Sequence, residues 1–481
     1  QKSYLSLIAT NTISQGSTRQ GGLEVIINNN GSIIFAIKSM KWPGVANVVV
    51  SLIAIYKGSW ERGRYLNYRY VQKINSYLSD STVIGNPFEL YQNIDKAFIG
   101  SLLLGIGFTL EVSEALNILS MNVKYSTVIK KYINADDLNS DPQQNPGRYA
   151  INFYDWPLKK IPIEEWKSLS DIKKKQLINI GFAEPSYDGH VAEDYPAVIK
   201  IIEQKVKPER LTKKAQDYRT TWWQYARKGI ELYKAIENEK KVLVIPRVSK
   251  YVSAVFIDSD VVLNEKLVAF PKQNFESFAL LQSSFHNEWA WQYSTTMGEV
   301  TISYSPTRCF IYFPYPQNIP KEIMQILENI GEEYHDFRKE LMLNLQLGLT
   351  KTYNLIHTKE LTIDNPHLKK ANLQIPIEDA LSDIYKLRRL HKQMDESVLI
   401  AYGWTDIELK HDFYEVDYLP ENDRVRYTIH PDARKEILKR LLELNHKIHD
   451  EEVRAGLWDK KGKKTDKKKE VKTDDKQESL F

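Results

Sequence analysis

The chain has 481 residues, 42% hydrophobic and 27% charged, the make-up of a globular protein with a real core. This excludes a largely disordered chain, a collagen and a disulfide scaffold, and with Cys309 as the only cysteine no intrachain disulfide or cysteine zinc cluster can form. Lysine and arginine (66) exceed aspartate and glutamate (62) by four, and three of those charges fall in residues 459–481, so net charge alone does not announce a nucleic-acid binder.

In chain order, residues 5–12 predict a buried strand that ends in turn chemistry at Gln15-Gly16-Ser17. Gln1 stands on the threshold of that strand, as it would in the remainder of something longer. Leu23–Asn28 predicts a short helix, Ser32–Ile37 a second strand and Ala46–Tyr56 a third, β-branched and central. Strand, helix and two strands fit the end of an α/β sheet whose last pair is antiparallel, with its missing partners before residue 1. From about Glu61 to Pro316 the pattern is mixed α+β. Val242–Ile245, Ser253–Ile257 and Val300–Tyr304 predict strands, and Asp217–Asn238 and Phe275–Tyr293 predict helices. Ile323–Gly348, Pro376–Tyr402 and Pro431–Gly456 predict amphipathic helices, with Ile437, Leu441, Leu444 and Ile448 on one face of the last. The Lys-rich stretch beyond is low-complexity and expected to be disordered. The longest apolar runs, Val45–Tyr56 and Phe98–Leu110, fall short of the ~20 residues that span a bilayer. No signal peptide stands before the first strand, and the expected setting is a reducing cytoplasm without membrane contact.

Several constellations invite a catalytic reading and fail it. His446 and His449 have metal-ligand spacing but no fixed third ligand, so they read as exposed helix polarity and no metal site is expected. Asp258, Asp260 and Glu265 read as a turn between strands rather than a magnesium cluster. Gly105-x-Gly107 lacks the third glycine of a phosphate loop. Binding chemistry is better represented. Tyr218, Arg219, Trp222, Trp223, Tyr225, Arg227 and Lys228 interleave bases with aromatics, and Arg247, Lys250 and Tyr251 follow a short strand. That mixture suits phosphate contact with stacking or groove reading. It equally suits tryptophans packed in a core with Arg and Lys reaching outward.

Longer motifs narrow the reading. Leu7-Ile8-Ala9-Thr10-Asn11-Thr12-Ile13-Ser14-Gln15-Gly16-Ser17-Thr18-Arg19 is followed by Trp42-Pro43-Gly44-Val45-Ala46-Asn47-Val48. Then come Phe98-Ile99-Gly100-Ser101, Ile151-Asn152-Phe153-Tyr154-Asp155-Trp156-Pro157, Tyr304-Ser305-Pro306-Thr307-Arg308-Cys309-Phe310 and Ala401-Tyr402-Gly403-Trp404. In this order they resemble the C-terminal portion of large adenine-specific (N6) DNA methyltransferases of single-chain restriction-modification systems (types IIG and IIL) and phage-defence methylases. The resemblance runs to about Leu457. It implies four regions: 1–62, the end of a Rossmann-like catalytic sheet; 63–320, linker and target-recognition domain; 321–457, a helical C-terminal region; and 458–481, the disordered Lys-rich tail.

The same resemblance implies what this chain lacks. The family's glycine-rich S-adenosylmethionine loop and Asn-Pro-Pro-Phe/Tyr loop precede the segment matched by residue 7. Asn86-Pro87-Phe88 lacks the second proline and reads as a turn. The implied donor, S-adenosylmethionine, is therefore bound by a missing N-terminal catalytic segment, in cis or in trans, and magnesium enters only with an upstream nuclease domain. The chain alone is expected to be inactive. The implied partner is double-stranded DNA. Methylating adenine N6 requires the base to leave the stack, and the family's last hairpin offers it an aromatic face just before a proline. Trp42 and Pro43 occupy that place, the alternative being that Trp42 covers a sheet edge. Arg219, Trp222, Arg227, Lys228, Arg247 and Lys250 are the DNA-binding candidates. Two functions stay open: the recognition part of an enzyme, or a non-catalytic DNA-binding specificity component.

Overall fold

The computed structural model describes residues 3–46, 48–80, 85–297 and 300–459; most of the predicted disordered tail lies outside them. The chain is a mixed α/β protein with several sheets, and it divides into two compact units. Neither unit is contiguous. The first comprises Gln1–Ala97, Ala279–Leu327 and His391–Phe481, the second Phe98–Phe278 and Glu328–Leu390.

The first unit is built on a five-stranded sheet of β1 (Tyr4–Thr10), β2 (Gly31–Lys41), β3 (Val49–Lys57), β4 (Arg64–Leu66) and β5 (Arg69–Val71), in the order β1-β3-β2-β4-β5. The β-branched run of β3 occupies an interior position, antiparallel to both β1 and β2, as its continuous apolar pattern predicts. β4 joins β2 in parallel. Gly16–Asn28 is helical, with a π turn at Gln20–Glu24, and packs Leu23 into a core with Ile33, Ala36, Ile53, Ile55 and Leu66. β1 is a strand, as expected, but it is not buried: Tyr4, Leu5 and Ile8 are exposed. It lies at the sheet edge and is bonded to β3 alone among the described residues, so an apolar composition did not guarantee cover.

The second unit holds two four-stranded sheets. One runs Val255–Asp258, Lys241–Pro246, Leu267–Phe270, Phe98–Ile99; the other runs Val261–Leu263, Ile129–Ile133, Arg148–Ile151, Thr109–Leu110. The helix predicted over 217–238 is broken into Gln216–Thr220 and Ile230–Ile236. Trp222, Trp223, Gln224 and Tyr225 are all buried. Four consecutive buried side chains cannot lie on one face of a helix, so core burial overrides helix propensity here. Trp223 Nε1 and Gln224 Nε2 both donate to the Trp156 carbonyl (3.0 and 2.7 Å), and Gly229 (φ +70°) turns the chain into the next helix.

The helix predicted over 275–293 breaks at Ser283, whose hydroxyl caps Ser284–Tyr293. Between residues 321 and 457 the chain is mostly helical, as expected. It also contains an unpredicted hairpin, Asp412–Glu415 with Val425–Thr428.

Candidate nucleic-acid interface

The basic candidates separate by position. The loop after Trp222-Trp223 is tied to the strand segment near Leu102 by two main-chain bonds, Leu102 N to Arg227 O and Arg227 N to Leu102 O, each 3.1 Å. Ser101 Oγ adds a bond to Lys228 O at 3.1 Å. Arg227 is therefore anchored by its backbone while its side chain stays exposed. Arg247 is half-buried and donates from Nη1 to Glu265 O at 2.9 Å. Its pKa is held below the ordinary arginine value, first by burial and then by the charge of Arg227, with Glu265 opposing. The fold thus brings Arg227 near enough to Arg247 for the two charges to repel, with Lys228 the next residue in the chain.

The remaining candidates have their own local settings. Arg219 is exposed on the helix Gln216–Thr220 and donates to Lys213 O at 3.4 Å. Lys250 is half-buried, its ammonium 5.6 Å from the Tyr251 ring. Trp222 sits in the second unit's core at 7% exposure with the Lys207 ammonium 4.7 Å above its ring, so it is a packing residue.

Trp42 is half-buried at the tip of the β2–β3 hairpin, where its main-chain N–H donates to Val48 O at 2.9 Å. Gly44 has no side chain where the indole lies: a Cβ there would meet Trp42 Nε1 at 2.4 Å. Pro43 and Val45 are exposed, and Asn47 lies outside the described residues. The Trp-Pro-Gly sequence thus holds the indole against the turn backbone.

Sequence reading missed two networks in the first unit. Arg19 is buried, with its guanidinium 3.9 Å from the Tyr77 ring, and bonds Ser76 Oγ (2.8 Å) and Asn86 Oδ1. The C-terminal helix Pro431–Arg454 grips the following loop. Asn445 accepts from Phe88 N and donates to Phe88 O (each 2.8 Å), and Glu452 accepts from the N–H groups of Tyr91 and Gln92. Phe88 packs against His446 and stacks on His449, which bond the carbonyls of Asn86 and Glu89. The two histidines are thus loop-fixing residues, and no metal-holding group of three or more occurs among the described residues.

The second network centres on Asp395. Its carboxylate accepts from Ser284 N (2.8 Å), Ser284 Oγ (2.6 Å) and His411 Nε2 (2.8 Å), and His391 Nε2 lies 3.2 Å from Ser284 Oγ. A hydrolytic relay needs serine, histidine and aspartate in line. Here the carboxylate takes the serine hydroxyl directly, so the cluster fixes a helix start instead. Its partners are spread from 284 to 411, and no local motif announces them.

Residues 187–317 match the family of target recognition domains described as "MmeI, target recognition domain". Among solved structures the chain is similar to the type IIL restriction-modification enzyme MmeI, determined in complex with DNA, with a TM-score of 0.61 and 16% identity over 93% of this chain and 50% of that one. It shares the fold of that portion and spans about half of that enzyme's length. The type IIG restriction endonuclease BpuSI aligns over 83% of this chain and 47% of its own at 11% identity, with a TM-score of 0.27. No curated protein matches the chain in sequence.

Proposed function

We propose that this chain is the sequence-specific DNA-recognition part of a site-specific, S-adenosylmethionine-dependent adenine-N6 DNA methyltransferase of a restriction-modification or phage-defence system. The observation that carries the reading is the match of residues 187–317 to a target recognition domain, a segment in which the backbone-anchored Arg227 presents an exposed guanidinium whose charge reaches Arg247. Like charges held together in a folded protein oppose stability, and an anionic partner offsets that cost. Arg219 and Lys250 extend the basic surface as further candidates. Trp42, at a hairpin tip, serves as the aromatic face for the extruded adenine, with Pro43 fixing the turn beside it.

Asn86-Pro87-Phe88, the tripeptide nearest to an amino-group acceptor loop, is committed to packing: Asn86 to Arg19 and Tyr77, Phe88 between two histidines. No methyl-transfer step is therefore assigned to these residues. S-adenosylmethionine belongs to the parent enzyme's catalytic part, and magnesium only to a nuclease domain if the parent has one. The alternative reading is a non-catalytic DNA-binding specificity component. Selection from a randomised duplex library tests the common element of both. Enrichment of one sequence is expected, and retention without sequence preference would refute it. Transfer of labelled methyl groups to duplex DNA by this chain alone would overturn the division of labour.

A further inference from the structure

We infer that residues 159–183 form a basic arm that binds the sugar-phosphate backbone of duplex DNA, an inference that rests on the DNA-binding reading above. The segment leaves the second unit and returns to it through a closed neck. Leu158 N bonds Gly181 O (2.7 Å), Ala183 N bonds Lys159 O (2.9 Å) and Ile161 N bonds Ala183 O (2.9 Å). Beyond the neck stand two helices, Ile163–Ser168 and Asp171–Asn179, and neither buries a single residue. A helix pair that contributes nothing to the core is kept in place by its neck and by local contacts, and its surface is available to a partner.

That surface is unevenly charged. The arm carries Lys159, Lys160, Lys167, Lys173, Lys174 and Lys175 against Glu164, Glu165 and Asp171. Lys167 pairs with Glu164 and Lys174 with Asp171, each at 3.6 Å. Glu165 is then the one carboxylate of the arm set against Lys159, Lys160, Lys173 and Lys175, all exposed. Two of these are positioned rather than loose: Lys159 Nζ lies 5.6 Å from the Phe182 ring and Lys160 Nζ 6.0 Å from the Tyr187 ring. An ordinary soluble surface intersperses both signs of charge. Lysines in excess and held at the neck of a projecting element match a phosphate row, which rewards point charges and ignores base identity. The arm precedes residues 187–317, the segment that matches a target recognition domain, and meets it at Tyr187.

The test uses the full chain and a random-sequence duplex across a salt series. Lys159→Gln, Lys160→Gln, Lys173→Gln and Lys175→Gln are combined in one variant, and thermal melting verifies that its fold is kept. The slope of log affinity against log salt is expected to become shallower by about 0.9 for each lysine engaged, so by about 2 to 4 in total. The four Lys→Arg replacements are expected to keep the original slope. An unchanged slope in the glutamine variant, with wild-type binding intact, overturns the arm and leaves the DNA reading standing. Absence of duplex binding by the wild-type chain overturns both.

Discussion

Arg227→Gln is expected to make the protein slightly more stable and a poorer DNA binder. The main-chain bonds that tie residue 227 to Leu102 do not involve its side chain, so the loop geometry survives the change. What is lost in the folded state is the repulsion that Arg227 exerts on Arg247. Charge pairs near a surface are worth roughly 0.2–1 kcal/mol, and relief of a like pair has the same size with opposite sign. Arg247→Gln is the contrasting variant. It relieves the same repulsion but removes the Nη1 bond to Glu265 O, worth about 1 kcal/mol, so its stability stays level or falls.

Urea denaturation measures the first effect, and fluorescence anisotropy with duplex DNA across a salt series measures the second. Loss of a phosphate contact reduces the salt slope by about 1. Loss of a guanine contact costs about 1–3 kcal/mol and relaxes sequence preference. A destabilised Arg227→Gln protein, or one that binds duplex DNA as the wild type does, would refute the reasoning.

Two further perturbations follow from the structure. His286 and His335 are held neutral, each pushed down to about 4: His286 by burial, and His335 by burial first and the Arg338 charge second. The unfolded chain protonates near 6.5, so their contribution is complete above that pH and is lost as pH falls from about 6.5 towards 4. It amounts to about 3 kcal/mol each, and combining His286→Gln with His335→Gln should flatten the fall in urea midpoint over that window; an equally steep fall in the double variant would count against it. For Trp42, replacement by Ala in a complete methyltransferase should cost about 1–3 kcal/mol in turnover while Phe retains most activity, and neither should move the melting temperature much. A large melting shift with equal turnover of the two variants would make Trp42 a packing residue.

Legibility in the sequence followed the range of the forces involved. The β2–β3 hairpin and the helix Pro431–Arg454 were readable because a β-branched run and a 3.6-residue apolar period are local signals. The break between Thr220 and Ile230 was not, because it is imposed by a core that Trp222, Trp223 and Tyr225 share with residues as distant as Phe108 and Ile202. The exposure of β1 depended on its place in the sheet rather than on its own residues. At the candidate interface Arg227 and Arg247 were legible as residue types. Their gathering was not, and neither was the Asp395 cluster, whose members meet only after folding.

The interleaved path of the chain bears on which parts of it can be exchanged. Residues 187–317 include the strands Val261–Leu263 and Leu267–Phe270, yet the neighbours of those strands, Ile129–Ile133 and Phe98–Ile99, come from outside that segment. A cassette cut at 187 and 317 would reach a new host with two sheets each missing a staple. Replacement is therefore accommodated one residue at a time on a retained frame, at exposed positions such as Arg227, where a side chain can be exchanged and the ladder beneath it is left as it was.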